Sequence, residues 1–219
     1  MSKANKKLFL LDAMALIYRA HFAFSKNPRI NSKGLNTGVM LGFTNTLLEI
    51  LEKEKPSHIA VVFDTSAPTF RHVQYESYKA NRQEQPEDIS VGIPWVKQIV
   101  KAFNIPTLEL DGYEADDIIG TLAKQAEKSS YTVYMMTPDK DYGQLVDDHI
   151  YLYKPAFMGN AVDVMGPKEI CAKWDIENVD QVRDILGLMG DAVDNIPGIP
   201  GIGAKTAVKL LKQFGSVEE

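Results

Sequence analysis

An apolar run, then an aspartate, then a helix-like segment recur in that order along this sequence, and the order constrains the fold more than any other feature. Three runs rich in aliphatic and β-branched residues predict buried strands at residues 6–11, 58–63 and 131–136. An aspartate closely follows each run: Asp12, Asp64 and Asp139. Because ligands of open α/β sheets bind beyond the carboxyl ends of the strands, we expect these carboxylates to meet at one edge of the sheet.

The rest of the chain alternates between strand and helix patterns. Further strands are predicted at residues 107–110, 149–153 and 161–164. Helical periodicity is present at residues 14–24, 39–54, 91–103, 118–128, 168–174 and 179–189, and from Ala204 onward. This alternation predicts an α/β fold with a mainly parallel central sheet flanked by helices.

An acidic cluster lies at a predicted helix start, where Glu114, Asp116 and Asp117 fall within four residues. Two like charges about 4 Å apart repel by roughly 4 kcal/mol at an effective dielectric of about 20. Such a cluster must therefore be solvated, protonated or neutralised by cations. Taken alone, it is better interpreted as an ordinary acidic first turn, which a helix N-terminus stabilises.

Further acids change that interpretation in favour of a shared site. The candidate ligands are Asp12, Asp64, Glu114, Asp116, Asp117, Asp139, Asp141, Asp191 and Asp194. Carboxylate oxygens without a Cys or His cluster suit Mg²⁺ or Mn²⁺. More acids than one ion can use indicate two divalent cations, an arrangement suited to in-line displacement at a phosphate ester.

Composition limits the remaining possibilities. The 219 residues carry a formal net charge of -5, and setting the nine candidate ligands aside leaves +4 on the rest, which is compatible with a nucleic-acid partner. One cysteine, Cys171, permits no internal disulfide. The apolar run before Asp12 is too short for a signal peptide or a membrane span. We expect a soluble cytoplasmic protein with no membrane partner.

A polar segment at residues 65–88 carries cations and aromatic side chains at spacings of three and four. They are Arg71, Tyr75, Tyr78, Lys79 and Arg82. This spacing predicts a helix with cations and aromatics on neighbouring faces. On its own, the pattern favours a solvated surface helix.

A glycine-rich turn near the end of the sequence precedes the last helix. Its glycines, Gly198, Gly201 and Gly203, are spaced so that backbone amides can approach a ligand closely. A helix N-terminus of this kind is an anion site, and Lys205, Lys209 and Lys212 add positive charge. The alternative is a plain Gly-Pro turn. We interpret the segment as a helix-hairpin-helix that binds the DNA backbone.

Six segments, in order, resemble the 5′ nuclease family, and most closely the 5′-to-3′ exonuclease domain found at the N-terminus of bacterial DNA polymerase I. Flap endonucleases are more distant relatives. Each segment is weak alone, whereas the ordered set is specific and spans nearly the whole chain. The segments are LLDAMALIYRAHFA at 10–23, VVFD at 61–64, TFRHVQYESYKANR at 69–82, GYEADDIIGTLA at 112–123, TPDKDYGQLV at 137–146 and GLMGDAVDNIPGIPGIGAKTA at 187–207.

The resemblance implies how the acids divide between two metal ions. Asp12, Asp64, Glu114 and Asp116 match the ligands of one ion. Asp117, Asp139, Asp141 and Asp191 match the second, and Asp194 matches a further acid of the family.

The resemblance also implies roles for basic and aromatic residues. Lys79 and Arg82 match cations of a helical arch that contact the scissile phosphate, with Arg71 at the base of the arch. Arg19 matches a basic residue of the first helix that faces the active site. The candidates for stacking on a base of the threaded strand are Tyr75 and Tyr78. The hairpin residues matched to duplex binding, with a K⁺ ion, are Gly198, Gly201, Gly203, Lys205, Thr206 and Lys209.

By this resemblance, residues 1–174 form a PIN-like 5′ nuclease core whose arch spans about 70–90. Residues 175–219 form a helix-hairpin-helix subdomain. The sequence ends just after the hairpin motif, so we expect that subdomain to be truncated and a polymerase domain to follow in the full-length protein. Pro138 stands where many relatives have glycine, which stiffens the approach to Asp139 but leaves the DKD pair intact.

The implied function is hydrolysis of DNA phosphodiesters at 5′ flaps and in nicked or gapped duplexes, by a monomer acting at the bacterial nucleoid in replication and repair. Two alternatives stay open. A non-catalytic DNA-binding fragment would use the hairpin alone. An aspartyl-phosphate phosphatase would use Asp139 and Asp141, but would leave the acidic cluster, the arch and the hairpin without a role.

Overall fold

A six-stranded sheet forms the centre of the fold. The computed structural model describes residues 6–156 and 161–218. The strands are β1 (Lys6–Asp12), β2 (His58–Val62), β3 (Thr107–Leu108), β4 (Tyr131–Met136), β5 (Ile150–Lys154) and β6 (Asp163–Met165). Their spatial order is β3-β2-β1-β4-β5-β6, with every neighbouring pair parallel except β5 and β6.

Strand β1 lies between β2 and β4, and both of its faces are buried. Phe9 and Leu11 belong to the core on one face, whereas Leu10 belongs to the core on the other. The continuous apolar run is explained by this arrangement, because a parallel strand covered on both faces has no solvent-exposed side.

Helices cover both faces of the sheet. They are α1 (Ala13–Phe24), α2 (Gly38–Glu49), α3 (Phe70–Gln74), α4 (Glu87–Ala102), α5 (Ala115–Lys128), α6 (Pro167–Trp174), α7 (Gln181–Met189) and α8 (Ala204–Phe214). Helices α1, α2 and α4 contribute to the core that contains Phe9, while α5 to α8 contribute to the core that contains Leu10. The predicted mainly parallel sheet flanked by helices is thereby confirmed.

A short hairpin joins α7 to α8 through strands β7 (Gly190–Asp191) and β8 (Ile196–Pro197). Gly198 passes so close to the end of α7 that a Cβ there would lie 2.3 Å from the carbonyl carbon of Met189. This glycine therefore serves the packing of the hairpin against α7. The sequence suggested that the backbone at Gly198 closely approaches a ligand. In the structure it closely approaches Met189 of the same chain.

Several predicted element boundaries are wrong, and one error affects the site. The helix expected across residues 71–82 ends at Gln74, and turns follow it. Tyr75 is extended, and Lys79 adopts a left-handed backbone with φ of 57°. The Lys79 amide also donates a 3.0 Å hydrogen bond to the Asp194 carbonyl, so a long-range contact replaces the local helical one.

Other differences are smaller. The helix predicted at residues 39–54 changes to a π-helical turn at Ile50–Glu54, and α4 begins earlier than expected, at Glu87. Within the described ranges, no helix combines the length and the apolar character needed to cross a membrane.

Candidate metal centre

The strand-end aspartates meet at the carboxyl edge of β1, β2 and β4. A cavity of about 570 Å³ opens there, lined by Asp12, Asp64, Glu114, Asp116 and Asp139. Two adjoining cavities share some of these walls and add the other four candidate ligands, Asp117, Asp141, Asp191 and Asp194. All nine predicted acids therefore line one continuous region, although this distribution does not itself assign a role to any of them.

Asp12 is held at the base of this region. It is the N-cap of α1, where its Oδ1 accepts a 3.0 Å hydrogen bond from the Ala15 amide. Its Oδ2 accepts a 3.0 Å hydrogen bond from the Thr137 hydroxyl. Burial nevertheless raises the pKa of Asp12 to about 6, and the carboxylates of Asp64 and Asp139 add to that rise.

The acidic cluster forms the first turn of α5. Glu114 is the N-cap, and its backbone amide donates a 3.0 Å hydrogen bond to Asp117 Oδ2. The neighbouring Ala115 amide donates a 2.9 Å hydrogen bond to Asp64 Oδ1, which ties the end of β2 to this turn. The acids therefore cap a helix, as the simpler interpretation required, and line the shared cavity as well.

Asp116 and Asp141 each present an unsatisfied oxygen. Oδ1 of each side chain is buried and accepts no hydrogen bond from the described residues. Burial raises the pKa of each carboxyl to about 6. The second contribution comes from Glu114 for Asp116 and from Asp139 for Asp141. Buried carboxylate oxygens that accept no hydrogen bond fit a divalent cation, because a bound cation would compensate their buried negative charge.

The carboxylates are spread apart in this arrangement. Across residues 6–156 and 161–218, no three Asp, Glu, His or Cys side chains are arranged closely enough to hold one. Mutual repulsion opposes a tighter arrangement when no cation is present. The region is an acidic cavity whose side chains would have to move closer together to hold an ion.

Four cations neutralise the outer acids. Arg71 makes two hydrogen bonds of 2.7 and 2.8 Å to Asp117, and Lys79 donates to Glu114 at 2.5 Å. Arg82 contacts Asp194 at 2.7 Å. Another ion pair, 3.0 Å long, joins Lys140 to Asp191.

Two of these ion pairs lower the pKa of the acid that they contact. Burial would raise the pKa of Asp117, but hydrogen bonds from Arg71 and from the Glu114 amide hold it below its ordinary value. Burial acts against Asp191 in the same way, and the Lys140 hydrogen bond lowers its pKa. Asp117 and Asp191 stay ionised because Arg71 and Lys140 supply the compensating positive charge.

The two tyrosines proposed for base stacking differ in exposure. Tyr75 is 39% exposed, whereas Tyr78 is buried and donates a 2.8 Å hydrogen bond to Glu114. Burial, followed by the contact with Glu114, raises the pKa of Tyr78. In this arrangement only Tyr75 presents a surface on which a base could stack.

Arg19 lies outside the carboxylate cavity. Its guanidinium donates to the Thr46 hydroxyl at 2.7 Å and to the Ala156 carbonyl. It lines an adjoining cavity of about 790 Å³, which also contains Pro138. That Arg19 faces the active site stays a prediction.

The hairpin presents an exposed basic face. Gly203 is the N-cap of α8, and Gly201 has a left-handed φ of 82°. The exposed side chains that follow are Lys205, Thr206 and Lys209. The face combines the start of a helix with positive charge, which suits a phosphate backbone.

Two residues at the acidic cavity were missed by the sequence analysis. Thr137 is fully buried, and its hydroxyl fixes Asp12. Its position between a strand and Asp139 was a usable signal. Tyr142 is also buried against the acids, and its hydroxyl has no hydrogen-bond partner among the described residues. No sequence pattern distinguished it from an ordinary core aromatic.

The fold and the acidic edge define an α/β protein that gathers carboxylates where its parallel strands end. Residues 7–175 match the family model described as 5′-3′ exonuclease, N-terminal resolvase-like domain. Residues 177–219 match the model described as 5′-3′ exonuclease, C-terminal SAM fold. The chain belongs to the 5′-3′ exonuclease family, which confirms the resemblance found in the sequence.

Named relatives agree with this assignment. DNA polymerase I of Bacillus subtilis is 44% identical over 216 residues, which are 98% of this chain and 24% of that protein. A 5′-3′ exonuclease of Aquifex aeolicus is 40% identical over 97% of this chain and 71% of that protein. The chain thus spans about a quarter of the polymerase I relatives that it matches.

Solved structures support the fold. T5 5′-exonuclease, determined with bound zinc, superimposes with a TM-score of 0.78 at 22% identity, over 97% of this chain and 77% of that chain. The catalytic core of Rad2, determined with a DNA substrate, gives 0.62 at 19% identity, over 98% and 63%. At these identities the likeness establishes a shared architecture.

Proposed function

We propose that this chain is a structure-specific 5′ nuclease that hydrolyses DNA phosphodiesters where a 5′ single strand meets duplex. One observation carries the proposal: buried acids with unsatisfied oxygens line a cavity beside a cation-bearing segment. Asp116 and Asp141 supply those oxygens, and Lys79 and Arg82 supply the cations. Family membership supports this reaction class. The cellular roles that follow are primer removal and nick translation in DNA replication and repair.

Two Mg²⁺ or Mn²⁺ ions are the proposed cofactors. The inner part of the proposed site comprises Asp12, Asp64, Asp116, Asp139 and Asp141. Of these five, Asp141 alone has an ion-pair partner among the described residues, which is Lys140 at 3.7 Å. Glu114, Asp117, Asp191 and Asp194 complete it after their ion pairs rearrange. When bound, the ions act as Lewis acids that stabilise charge on the phosphoryl group. T5 5′-exonuclease binds divalent metal, which supports this assignment.

The cations of residues 71–82 are proposed to bind the phosphate. Lys79 and Arg82 line the same cavity as Asp116, so a phosphate entering it would meet both side chains. Their present carboxylate partners would then be satisfied by the metal ions instead. Arg71 holds Asp117 in place from the base of the segment, and Arg19 acts from the adjoining cavity. This exchange keeps each charge neutralised as the substrate enters.

The hairpin is proposed to hold the downstream duplex. Lys205, Thr206 and Lys209 would contact backbone phosphates, while Gly201 and Gly203 keep the turn open beside the helix start. We also propose a K⁺ ion at this hairpin and stacking of a base on Tyr75. The Rad2 core binds a DNA substrate, and it shares this architecture.

The organisation around this site is proposed as follows. Residues 1–174 form the catalytic core, and residues 175–219 form the duplex-binding part. The protein works as a monomer in the bacterial cytoplasm, at the nucleoid. A polymerase domain is joined to it in the full-length protein, as in the relatives named DNA polymerase I.

A labelled duplex bearing a 5′ flap tests the proposal. The protein is incubated with the DNA in Mg²⁺, and a parallel sample contains EDTA. We expect cleavage near the flap junction in Mg²⁺ only, leaving a 5′ phosphate and a 3′ hydroxyl. Binding without cleavage in both samples would overturn the nuclease proposal and favour a DNA-binding module. Turnover of a small phosphate monoester, with the DNA left intact, would favour a phosphatase.

A further inference from the structure

The hydroxyl of Tyr142 is a buried polar group without a hydrogen-bond partner among the described residues. Tyr142 lies in a single 3₁₀ turn, Asp141–Leu145, directly after the DKD pair, and the residue is 3% exposed. Its side chain lines both the cavity that contains Asp12 and the adjoining one that contains Asp141. The hydroxyl accepts and donates no hydrogen bond within the described residues.

Asp12, Asp116 and Asp139 line the same cavity as Tyr142, yet none of them accepts a hydrogen bond from its hydroxyl. A tyrosine hydroxyl ordinarily loses its proton only at about pH 10, so at neutral pH it is available as a donor. Asp12 is already satisfied by Ala15 and Thr137. The donor therefore faces acceptors that are either occupied or beyond hydrogen-bond distance.

Packing alone does not explain a hydroxyl in this position. The ring belongs to the core that includes Leu10 and Ile170. A phenylalanine ring would fill the same space without burying an unsatisfied donor, which costs free energy. The hydroxyl adds nothing to the core, so its role is on the side of the cavity.

We propose that Tyr142 is a positioning residue of the metal centre, whose hydroxyl forms a hydrogen bond with a water molecule in the hydration shell of a bound divalent cation. The proposal rests on the metal-dependent part of the proposed function. A hydrated cation held by Asp12 and Asp116 brings water molecules into the cavity whose wall includes Tyr142. One of these waters gives a partner to a hydroxyl that has none among the described residues. Outer hydrogen bonds of this kind orient a metal complex and raise its affinity.

The test compares Tyr142→Phe with the wild type by calorimetric titration of Mn²⁺ and by thermal melting in EDTA. We expect Mn²⁺ to bind about 10-fold more weakly to Tyr142→Phe, within the range seen for loss of an outer-shell hydrogen bond. The metal-free melting temperature should stay the same or rise, because an unsatisfied buried donor has been removed. A residue with a purely structural role would give the opposite pair of results, a lower melting temperature and unchanged Mn²⁺ affinity.

Tyr153→Phe is the matched control. Tyr153 is equally buried, packs in the core on the other face of the sheet, and donates a 3.2 Å hydrogen bond to Glu54. Its variant should melt at a lower temperature and bind Mn²⁺ like the wild type. Asp116→Asn is the positive control for lost metal affinity.

The outcomes separate this inference from the nuclease proposal. Unchanged Mn²⁺ affinity in Tyr142→Phe overturns the role of Tyr142, whether or not the wild type cleaves flap DNA. Weaker binding in Tyr142→Phe, together with a wild type that leaves flap DNA intact, supports Tyr142 and overturns the nuclease proposal. A wild type that binds no Mn²⁺ overturns both.

Discussion

The inner and outer aspartates of the site are in contrasting states. Asp116 and Asp141 are buried with unsatisfied oxygens, and burial raises the pKa of each to about 6. Asp117 and Asp191 form ion pairs with Arg71 and Lys140, and their pKa values are lowered. The protein places hydrogen-bonded cations against the outer acids, whereas Lys140 approaches Asp141 only to 3.7 Å. The difference is what the proposed function requires, because the inner acids would then be the ones that bind cations from solution.

Removing an inner ligand should produce the largest effect. We expect Asp116→Asn to slow flap cleavage by at least about 100-fold, since loss of an outer-shell partner alone costs 10- to 100-fold. DNA affinity should change little, because the hairpin is untouched. Single-turnover cleavage and a binding titration in Ca²⁺ measure the two quantities. Asp148→Asn, an exposed aspartate remote from the cavity walls, is the control. Full activity in Asp116→Asn would contradict the assignment of the inner acids.

Removing a cation that pairs with an outer acid should affect the reaction more than the binding. Lys79→Ala is expected to lower the single-turnover rate by about 10- to 100-fold, because the side chain stabilises charge on the phosphate in the transition state. The dissociation constant for DNA should rise only a few-fold. Lys53→Ala, on the exposed surface, is the control. Equal losses in rate and affinity would make Lys79 a positioning contact.

A change of pH should distinguish the inner acids from the outer acids without a mutation. The raised pKa values of Asp12, Asp116 and Asp141 mean that the folded metal-free protein keeps protons which the unfolded chain releases between about pH 4 and pH 6. The free energy of unfolding in EDTA should therefore fall as the pH rises through this window. Mn²⁺ affinity should rise over the same window, because the ion displaces those protons. Denaturant unfolding and calorimetry at pH 4.5 and 7 check both trends.

A similar slope of stability against pH in Asp116→Asn and wild type would contradict the pH prediction, since Asp116 is one of the groups that creates the slope. Asp191→Asn should retain the wild-type slope in this window. Its pKa is lowered, so its contribution to stability is lost only at more acidic pH.

The smallest expected effect is on the salt dependence of DNA binding, which depends on the hairpin and not on the carboxylates. If about four phosphates are held, the logarithm of duplex affinity should fall against the logarithm of salt concentration with a slope near about -3.6. Lys205→Ala should reduce the magnitude of that slope by about 0.9, whereas Asp116→Asn should leave it unchanged. A slope near zero for the wild type would contradict backbone binding by the hairpin.

The convergence of the strand-end acids could be predicted from the sequence because it follows from local geometry at the strand ends. Asp12, Asp64 and Asp139 each follow a buried parallel strand, and parallel strands deliver their ends to one edge. The acidic cluster at Glu114 was equally visible, because helix capping and its sequence spacing are short-range features.

The outer part could not be predicted in the same way. Spacing across residues 71–82 indicated a helix, but Lys79 pairs through its backbone with Asp194, more than a hundred residues away. Gly198 likewise serves a close contact with Met189 that the local pattern did not specify. The Tyr142 hydroxyl lacks a hydrogen-bond partner among the described residues because of the side chains that surround it, and sequence spacing carries no information about those neighbours.

The central claim is that cations bound by the inner acids make the chain a nuclease. The most direct measurement titrates Mn²⁺ into wild type and Asp116→Asn at neutral pH, with flap cleavage followed in the same samples. The account predicts that wild-type cleavage rises in step with Mn²⁺ occupancy, and that Asp116→Asn loses both. Cleavage in EDTA, or undiminished Mn²⁺ binding and cleavage in Asp116→Asn, would contradict it.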